Sequence, residues 1–177
     1  MSDIFARLFE NGSSIQLEGE EYLFFAGDPV KFMYLLLEGQ VDLLRHTANG
    51  SVMIMNRVFE GCIAAEASAY SDVYHCDAKA KSRSKLQIIS VDMFLERLER
   101  TEELRREWAA HLARELQKSR LQAEVRALKT VAQRLDAWIG ANGDLPPRGS
   151  WQDIAQIIGV SREALYRELA RRRVGID

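Results

Sequence analysis

The sequence predicts an α+β fold in which short antiparallel strands come first, a long helix follows, and a helix-turn-helix closes the chain. Three observations carry that expectation. Residues 14–90 read as short alternating runs separated by turn signals. Leu104, Trp108, Leu112 and Leu116 then recur every fourth residue. Last, Ser150–Arg172, SWQDIAQIIGVSREALYRELARR, has the spacing of two helices about a tight turn.

The strands come first. IQLEGEEYLFF turns at Glu18-Gly19-Glu20, FMYLLLEGQVDLLRH at Glu38-Gly39, and HTANGSVMIMNRVF at Asn49-Gly50. Asn-Gly between two alternating runs is the strongest short hairpin cue. Strands at this spacing suit a sandwich or a rolled-up barrel better than a parallel sheet. Met33, Met53 and Met55 fall at strand spacing, which predicts core packing rather than a copper track.

The zone from about Val91 to Ala141 is helical. Ser90 opens a short helix, and Thr101-Glu-Glu-Leu opens a long one with acids in the first turn, where the helix dipole favours them. After Leu121 the series Val125, Leu128, Ala132, Leu135 and Ile139 continues in a four-three alternation. Such a helix can lie against its own β-domain, pair with a copy of itself, or do both. Trp108 and Trp138 read as packing residues. Asn142–Gly149 is a loop holding two of the three prolines.

The closing segment carries the chemistry. Ser150 with Asp153 forms a Ser-x-x-Asp capping pair, and Ser161 caps the next helix. Ala155 is small where two helices touch, Gly159 suits a turn at positive φ, and Leu165 is an apolar plug. Arg162 and Glu163 stand at the start of the second helix, with Arg167 a turn and a half on. An arginine fork matches guanine O6 and N7 in the major groove, and a carboxylate accepts from cytosine N4. Ser150, Gln152 and Ser161 sit at helix starts, where hydroxyls, amides and N–H groups grip phosphate. The expected partner is double-stranded DNA.

Composition bounds this reading. The chain has 177 residues, 47% hydrophobic and 28% charged, with a net charge of -2. A DNA-binding surface must therefore be local. From Arg148 onward there are six arginines against four acids. No signal architecture and no membrane-length apolar run is present, so the cytoplasm is the expected location. There Cys62 and Cys76 are expected as free thiols. No CxxC spacing, P-loop or nucleophile–base set appears, and His46, His75 and His111 are scattered, so catalysis has no support.

The order of these parts resembles the Crp/Fnr family of bacterial transcription regulators over nearly the whole chain. The resemblance rests on Phe25-x-Gly27-Asp28 with Met33-Tyr34-Leu35-Leu36-Leu37-Glu38-Gly39-x-Val41-x-Leu43, and on Gly159-Val-Ser-Arg-Glu-Ala-Leu-Tyr-Arg167. It implies a jelly-roll-like antiparallel β-roll with short flanking helices over 1–100, a dimerisation helix over 101–128, and a DNA-binding domain over 129–177. It implies a homodimer joined through Leu104, Trp108, Leu112, Leu116 and Ala123. That dimer would read a TGTGA-like inverted repeat and meet RNA polymerase. The competing reading is a ligand-sensing β-roll acting through protein contacts, with a vestigial DNA reader.

Two departures stand out. Cyclic-nucleotide binders of this family carry Gly-Glu and, some ten residues later, Arg-Ser on the cyclic phosphate. Here Glu66 is kept, Ala65 replaces the glycine, and His75-Cys76 stands where Arg-Ser would be, beside Asp72 and Asp77. That argues against cyclic AMP or GMP. It leaves Cys76, His75, Cys62 and Glu66 as effector candidates: a redox thiol, a soft metal such as Cu(I) on Cys76 and Cys62, or haem on His75 or Cys76, against plain structure. The cysteine cluster of the family's iron–sulfur member is absent. The second departure follows the reading helix, where Arg171-Arg-Arg-Val-Gly-Ile-Asp177 is too short for the family's two-stranded wing. The arginine run can replace its phosphate contacts or simply complement the helix dipole.

Overall fold

The computed structural model describes residues 3–46, 50 and 52–174. The fold is the expected α+β arrangement, in two compact units, Met1–Leu112 and Ala113–Asp177. No helix among the described residues is long and apolar enough to cross a membrane.

In the first unit, helix α1 (Asp3–Leu8) precedes eight strands: β1 (Ser13–Leu17), β2 (Tyr22–Phe24), β3 (Phe32–Glu38), β4 (Val41–His46), β5 (Val52–Val58), β6 (Ile63–Ala64), β7 (Asp77–Ala80) and β8 (Ser84–Ser90). They form two antiparallel sheets, ordered β1-β8-β3-β6 and β2-β7-β4-β5. β4 and β5 form a true hairpin, pairing Val41 with Val58 through His46 with Val52. Its turn residue Asn49 lies outside the described residues. The turns at Glu18–Glu20 and Glu38-Gly39 instead carry the chain from one sheet to the other: β1 pairs with β8, and β2 with β7. Gly39 has φ +93, and a Cβ there would lie 2.4 Å from the Arg83 carbonyl oxygen, so the crossing requires glycine.

Strand β3 is buried on both faces, and its period-two alternation divides two cores. Tyr34 and Leu36 join Phe24, Leu43, Tyr74, Cys76, Ala78 and Leu86 between the sheets. Met33 and Leu35 face Phe5, Phe9, Phe94, Leu104 and Trp108 from the helices. Met33 packs as expected, but Met53 and Met55 are exposed. The reason is topological, because β5 is the outermost strand of its sheet.

Helix α2 (Val91–Arg100) is capped by Ser90, whose Oγ accepts from the Met93 amide at 3.2 Å. Helix α3 (Glu102–Ala127) runs through the division between the units, and α4 (Val131–Asn142) follows. The helical series beyond Leu121 is thus broken at residues 128–130. Thr130 is extended, at φ -116 and ψ 152, and its hydroxyl and the Gln133 side chain form a reciprocal capping box that starts α4 afresh. A short 3₁₀ turn (Arg148–Ser150), α5 (Trp151–Ile157) and α6 (Arg162–Val174) complete the second unit. Its core holds Val125, Leu135, Trp151, Ile154, Ala155, Ile158, Leu165 and Leu169.

Candidate nucleic-acid interface

Helices α5 and α6 meet as the sequence predicts. Ala155 and Leu165 are buried against each other's helices, and Gly159 turns the chain at φ +67. The Val160 amide donates to the Ala155 carbonyl at 2.9 Å, closing the turn. Ser161 Oγ accepts from the Ala164 amide at 3.2 Å and so caps α6. Ser150 behaves differently from the expectation. It already has helical φ and ψ and makes no side-chain cap bond, because the 3₁₀ turn leads straight into α5. Ser150 and Gln152 are both exposed at that entry.

Arg162, Glu163 and Arg167 all lie on the exposed side of α6. The Glu163 carboxyl is held below the usual carboxylate value, first by a hydrogen bond from its own backbone N–H and then by the Ser161 hydroxyl, with Arg162 and Arg167 adding. It is an ionised acceptor at neutral pH. Neither Arg162 nor Arg167 has an ion-pair partner among the described residues. The later arginines are different. Arg171 and Arg172 pair with Glu168 at 3.0 and 2.9 Å, and Arg172 also reaches Asp136 at 2.7 Å. These two are committed to their own unit and are not free for phosphate in this arrangement. The Arg173 side chain and residues 175–177 lie outside the described residues.

Two arginines that spacing does not reveal hold the helix-turn-helix in place. Arg126 Nε donates to the Ile157 carbonyl at 3.0 Å and its Nη2 to Gln156 at 3.2 Å. Arg134 Nη1 donates to the carbonyls of Ile158 and Gly159 at 3.2 and 2.9 Å. The carbonyls at the end of α5 thus receive cationic donors, which also oppose the helix dipole.

The residues expected to join two copies divide between two environments. Leu104 and Trp108 are buried in the first unit's own core, with Leu112 packed against it, so the first two are not free to face a partner. Leu116 and Ala123 are exposed, as is Leu121.

In the β-roll, the effector candidates do not converge. Cys76 lies in the inter-sheet core, where burial pushes its thiol above the ordinary value; Arg45 pulls the other way, while Asp77 and Glu66 add to the rise. That is the opposite of an activated thiolate. His75 points outward, its Nε2 3.1 Å from Ser71 Oγ, and Cys62 is exposed. No group of three or more His, Cys, Asp or Glu side chains suited to a metal occurs among the described residues. Ala65 adopts φ 56 and ψ 41, a left-handed conformation that favours glycine. Glu66 follows it at the start of a 3₁₀ turn (Glu66–Tyr70). Inside the roll, Phe24 stacks on Tyr74 at 3.8 Å and on Tyr34 at 5.7 Å, and the Tyr74 hydroxyl donates to the Phe32 carbonyl at 2.6 Å. Around the buried Cys76 thiol, Glu66 and Asp77 offset the charge of nearby Arg45, which leaves little net counter-charge for a cyclic phosphate.

Comparison with known proteins agrees with this architecture. Residues 14–101 match the cyclic nucleotide-binding domain family. The cAMP-activated global transcriptional regulator CRP of Pasteurella multocida (strain Pm70) is 28% identical over 159 residues, covering 83% of this chain and 76% of that protein. The c-di-GMP responsive global regulator CLP of Xanthomonas campestris shares the fold with a TM-score of 0.71 at 19% identity, over 99% of this chain and 93% of that one. FixK2 of Bradyrhizobium japonicum gives 0.70 at 17% identity, over 93% and 85%. The class is therefore a cyclic-nucleotide-binding-type β-domain joined to a helix-turn-helix. Residues 14–101 belong to the cyclic nucleotide-binding domain family, and the chain as a whole is similar to transcription regulators of the Crp/Fnr type.

Proposed function

We infer that this chain is a sequence-specific DNA-binding regulator that acts as a homodimer on a TGTGA-like inverted repeat and meets RNA polymerase there. Residues 1–100 form its effector domain, 101–128 its dimerisation helix and 129–177 its DNA-binding domain. Arg162 and Arg167 take guanine edges, Glu163 accepts from cytosine, and Ser161, Ser150 and Gln152 approach phosphate. One observation carries this reading: Arg162 and Arg167 stand exposed, with no ion-pair partner among the described residues, on the first two turns of a helix anchored by Gly159, Ser161 and Leu165. A two-fold pair of such helices suits half-sites one helical turn apart. Exposed Leu116, Leu121 and Ala123 are the part of α3 left to support pairing.

Cyclic nucleotide does not control this regulator, and the raised Cys76 thiol makes redox or copper sensing there a weaker reading than packing. Sedimentation of the chain with a duplex carrying the inverted repeat tests the assignment. Two chains per duplex, and none on a scrambled duplex at the same salt, is the expected result. One chain per duplex, or equal uptake by both duplexes, contradicts it.

A further inference from the structure

Arg148 is the third C-terminal arginine without an ion-pair partner among the described residues, and nothing in the reading motif accounts for it. It lies in the 3₁₀ turn before α5, whereas Arg162 opens α6. Yet both guanidinium groups sit over one ring: Arg148 Cζ is 5.6 Å and Arg162 Cζ 5.3 Å from the centroid of Tyr166. Arg148 also lies 6.0 Å from the Trp151 ring.

The ring itself is fixed from below. Tyr166 meets Trp151 edge-to-face at 5.4 Å and 65°. Trp151 is buried, and its Nε1 donates to the Pro146 carbonyl at 2.9 Å. Rigid core, ring and two cations thus form one chain of contacts. Glu163 is electrostatically coupled to Arg162, but two like charges held over one ring still repel each other in the free protein. An arriving anion relieves that repulsion, and a pre-set guanidinium loses less side-chain entropy on binding than a free one.

We propose that Tyr166 is a positioning residue that holds Arg148 and Arg162 as a pair, so that Arg162 enters the groove while Arg148 meets the adjoining backbone phosphate of the same DNA. This rests on the DNA-reading function inferred above. The division of labour follows from chemistry: a base contact carries sequence information and a phosphate contact carries register and affinity. Tyr166 contributes through its ring face, so the hydroxyl is dispensable and the aromatic ring is not.

The test uses the full chain, wild type and Tyr166→Phe, Tyr166→Trp, Tyr166→Leu, Arg148→Ala and Arg162→Ala, titrated on the TGTGA inverted repeat and a scrambled duplex over a range of salt. Tyr166→Phe should bind like wild type, and Tyr166→Leu should lose roughly tenfold, with Tyr166→Trp recovering most of it. Arg148→Ala should weaken both duplexes alike and lower the salt slope by about 1 for each chain. In a chain that carries Arg148→Ala and Arg162→Ala together, made with and without Tyr166→Leu, the Tyr166 substitution should add little to the loss already caused by removing both arginines. Wild-type binding by Tyr166→Leu, or a loss fully additive to that of the arginine variants, overturns the proposal. Thermal melts of each variant separate lost positioning from lost folding.

A readout in the free protein keeps the two inferences apart. The side-chain Nε–H signals of Arg148 and Arg162 should be displaced by the ring current and motionally restricted in wild type and Tyr166→Phe, and become those of free arginines in Tyr166→Leu. Free-arginine signals in the wild type overturn the positioning role whatever the DNA result. Restricted signals in a protein that does not discriminate the two duplexes support the tethering and reject the DNA-reading function.

Discussion

Arg134 on α4 donates from Nη1 to the Gly159 carbonyl at 2.9 Å, in the turn between α5 and α6. Its Nε meanwhile donates to the Leu128 carbonyl at 2.8 Å. One half-buried side chain therefore joins the α3–α4 connection to the turn that sets the angle of α6. Because the charge satisfies several partly buried carbonyls, its removal leaves acceptors without donors. Arg134→Ala is expected to destabilise the second unit by about 2 kcal/mol, with Arg134→Lys recovering only part, since an ammonium cannot span both directions. Urea unfolding followed by circular dichroism measures this, and an unchanged midpoint for Arg134→Ala rejects the link.

Two left-handed positions carry opposite residues and predict opposite effects. Gly159 has φ +67, and a Cβ there would lie 3.2 Å from Arg126 Cγ. Gly159→Ala should cost roughly 1–2 kcal/mol of stability. Ala65 already has φ 56. Ala65→Gly should stabilise the β-roll by about 0.5–1 kcal/mol, less whatever its small buried methyl contributes. Melting both variants beside wild type is sufficient; destabilisation by Ala65→Gly contradicts the strain assigned to it.

The two thiols differ in surroundings and should differ in reactivity. Cys62 is exposed and Cys76 is buried with its pKa raised by burial. A thiol-specific disulfide reagent at pH 8 should modify one cysteine promptly and the second only on unfolding. Prompt modification of both, or of Cys76 first in a Cys62→Ser variant, is incompatible with the packing described.

The Glu168 carboxyl is held below its ordinary 4.5 by hydrogen bonds from Arg171 first and Arg172 next. A carboxylate whose pKa is lowered on folding contributes stability that is fully present above the unfolded value and is lost as pH falls through the folded one. Glu168→Gln should therefore be less stable than wild type at neutral pH, with the difference shrinking below pH 4.5. Parallel stability curves from pH 7 into the acid range rule out this contribution.

How much of this was legible differs from residue to residue. Gly159, Ser161 and Leu165 announce the helix-turn-helix because each has a local reason: a turn, a cap and a plug. The alternation in Phe32–Glu38 reads as a strand, but which face meets which core depends on strand order. For the same reason Met53 and Met55 look like core residues until β5 proves to be outermost. The break at Thr130 is hidden by an apolar series that continues through it, because Val125 and Leu135 join the same core from separate helices. The Thr130-x-x-Gln133 box was the available signal. Arg126 and Arg134 had none: their acceptors, Ile157 and Ile158, lie 31 and 24 positions away. Likewise, Leu104 and Leu116 share one period, and only tertiary packing sends the first into the core of the first unit.

The most direct measurement is a binding titration of wild type and Arg162→Ala on two inverted repeats that differ only in the guanine of each half-site. Wild type should discriminate between them by about 1–3 kcal/mol per half-site, and Arg162→Ala should bind both alike. Equal preference in the two proteins, or none in the wild type, would contradict the assignment of Arg162 as a base reader.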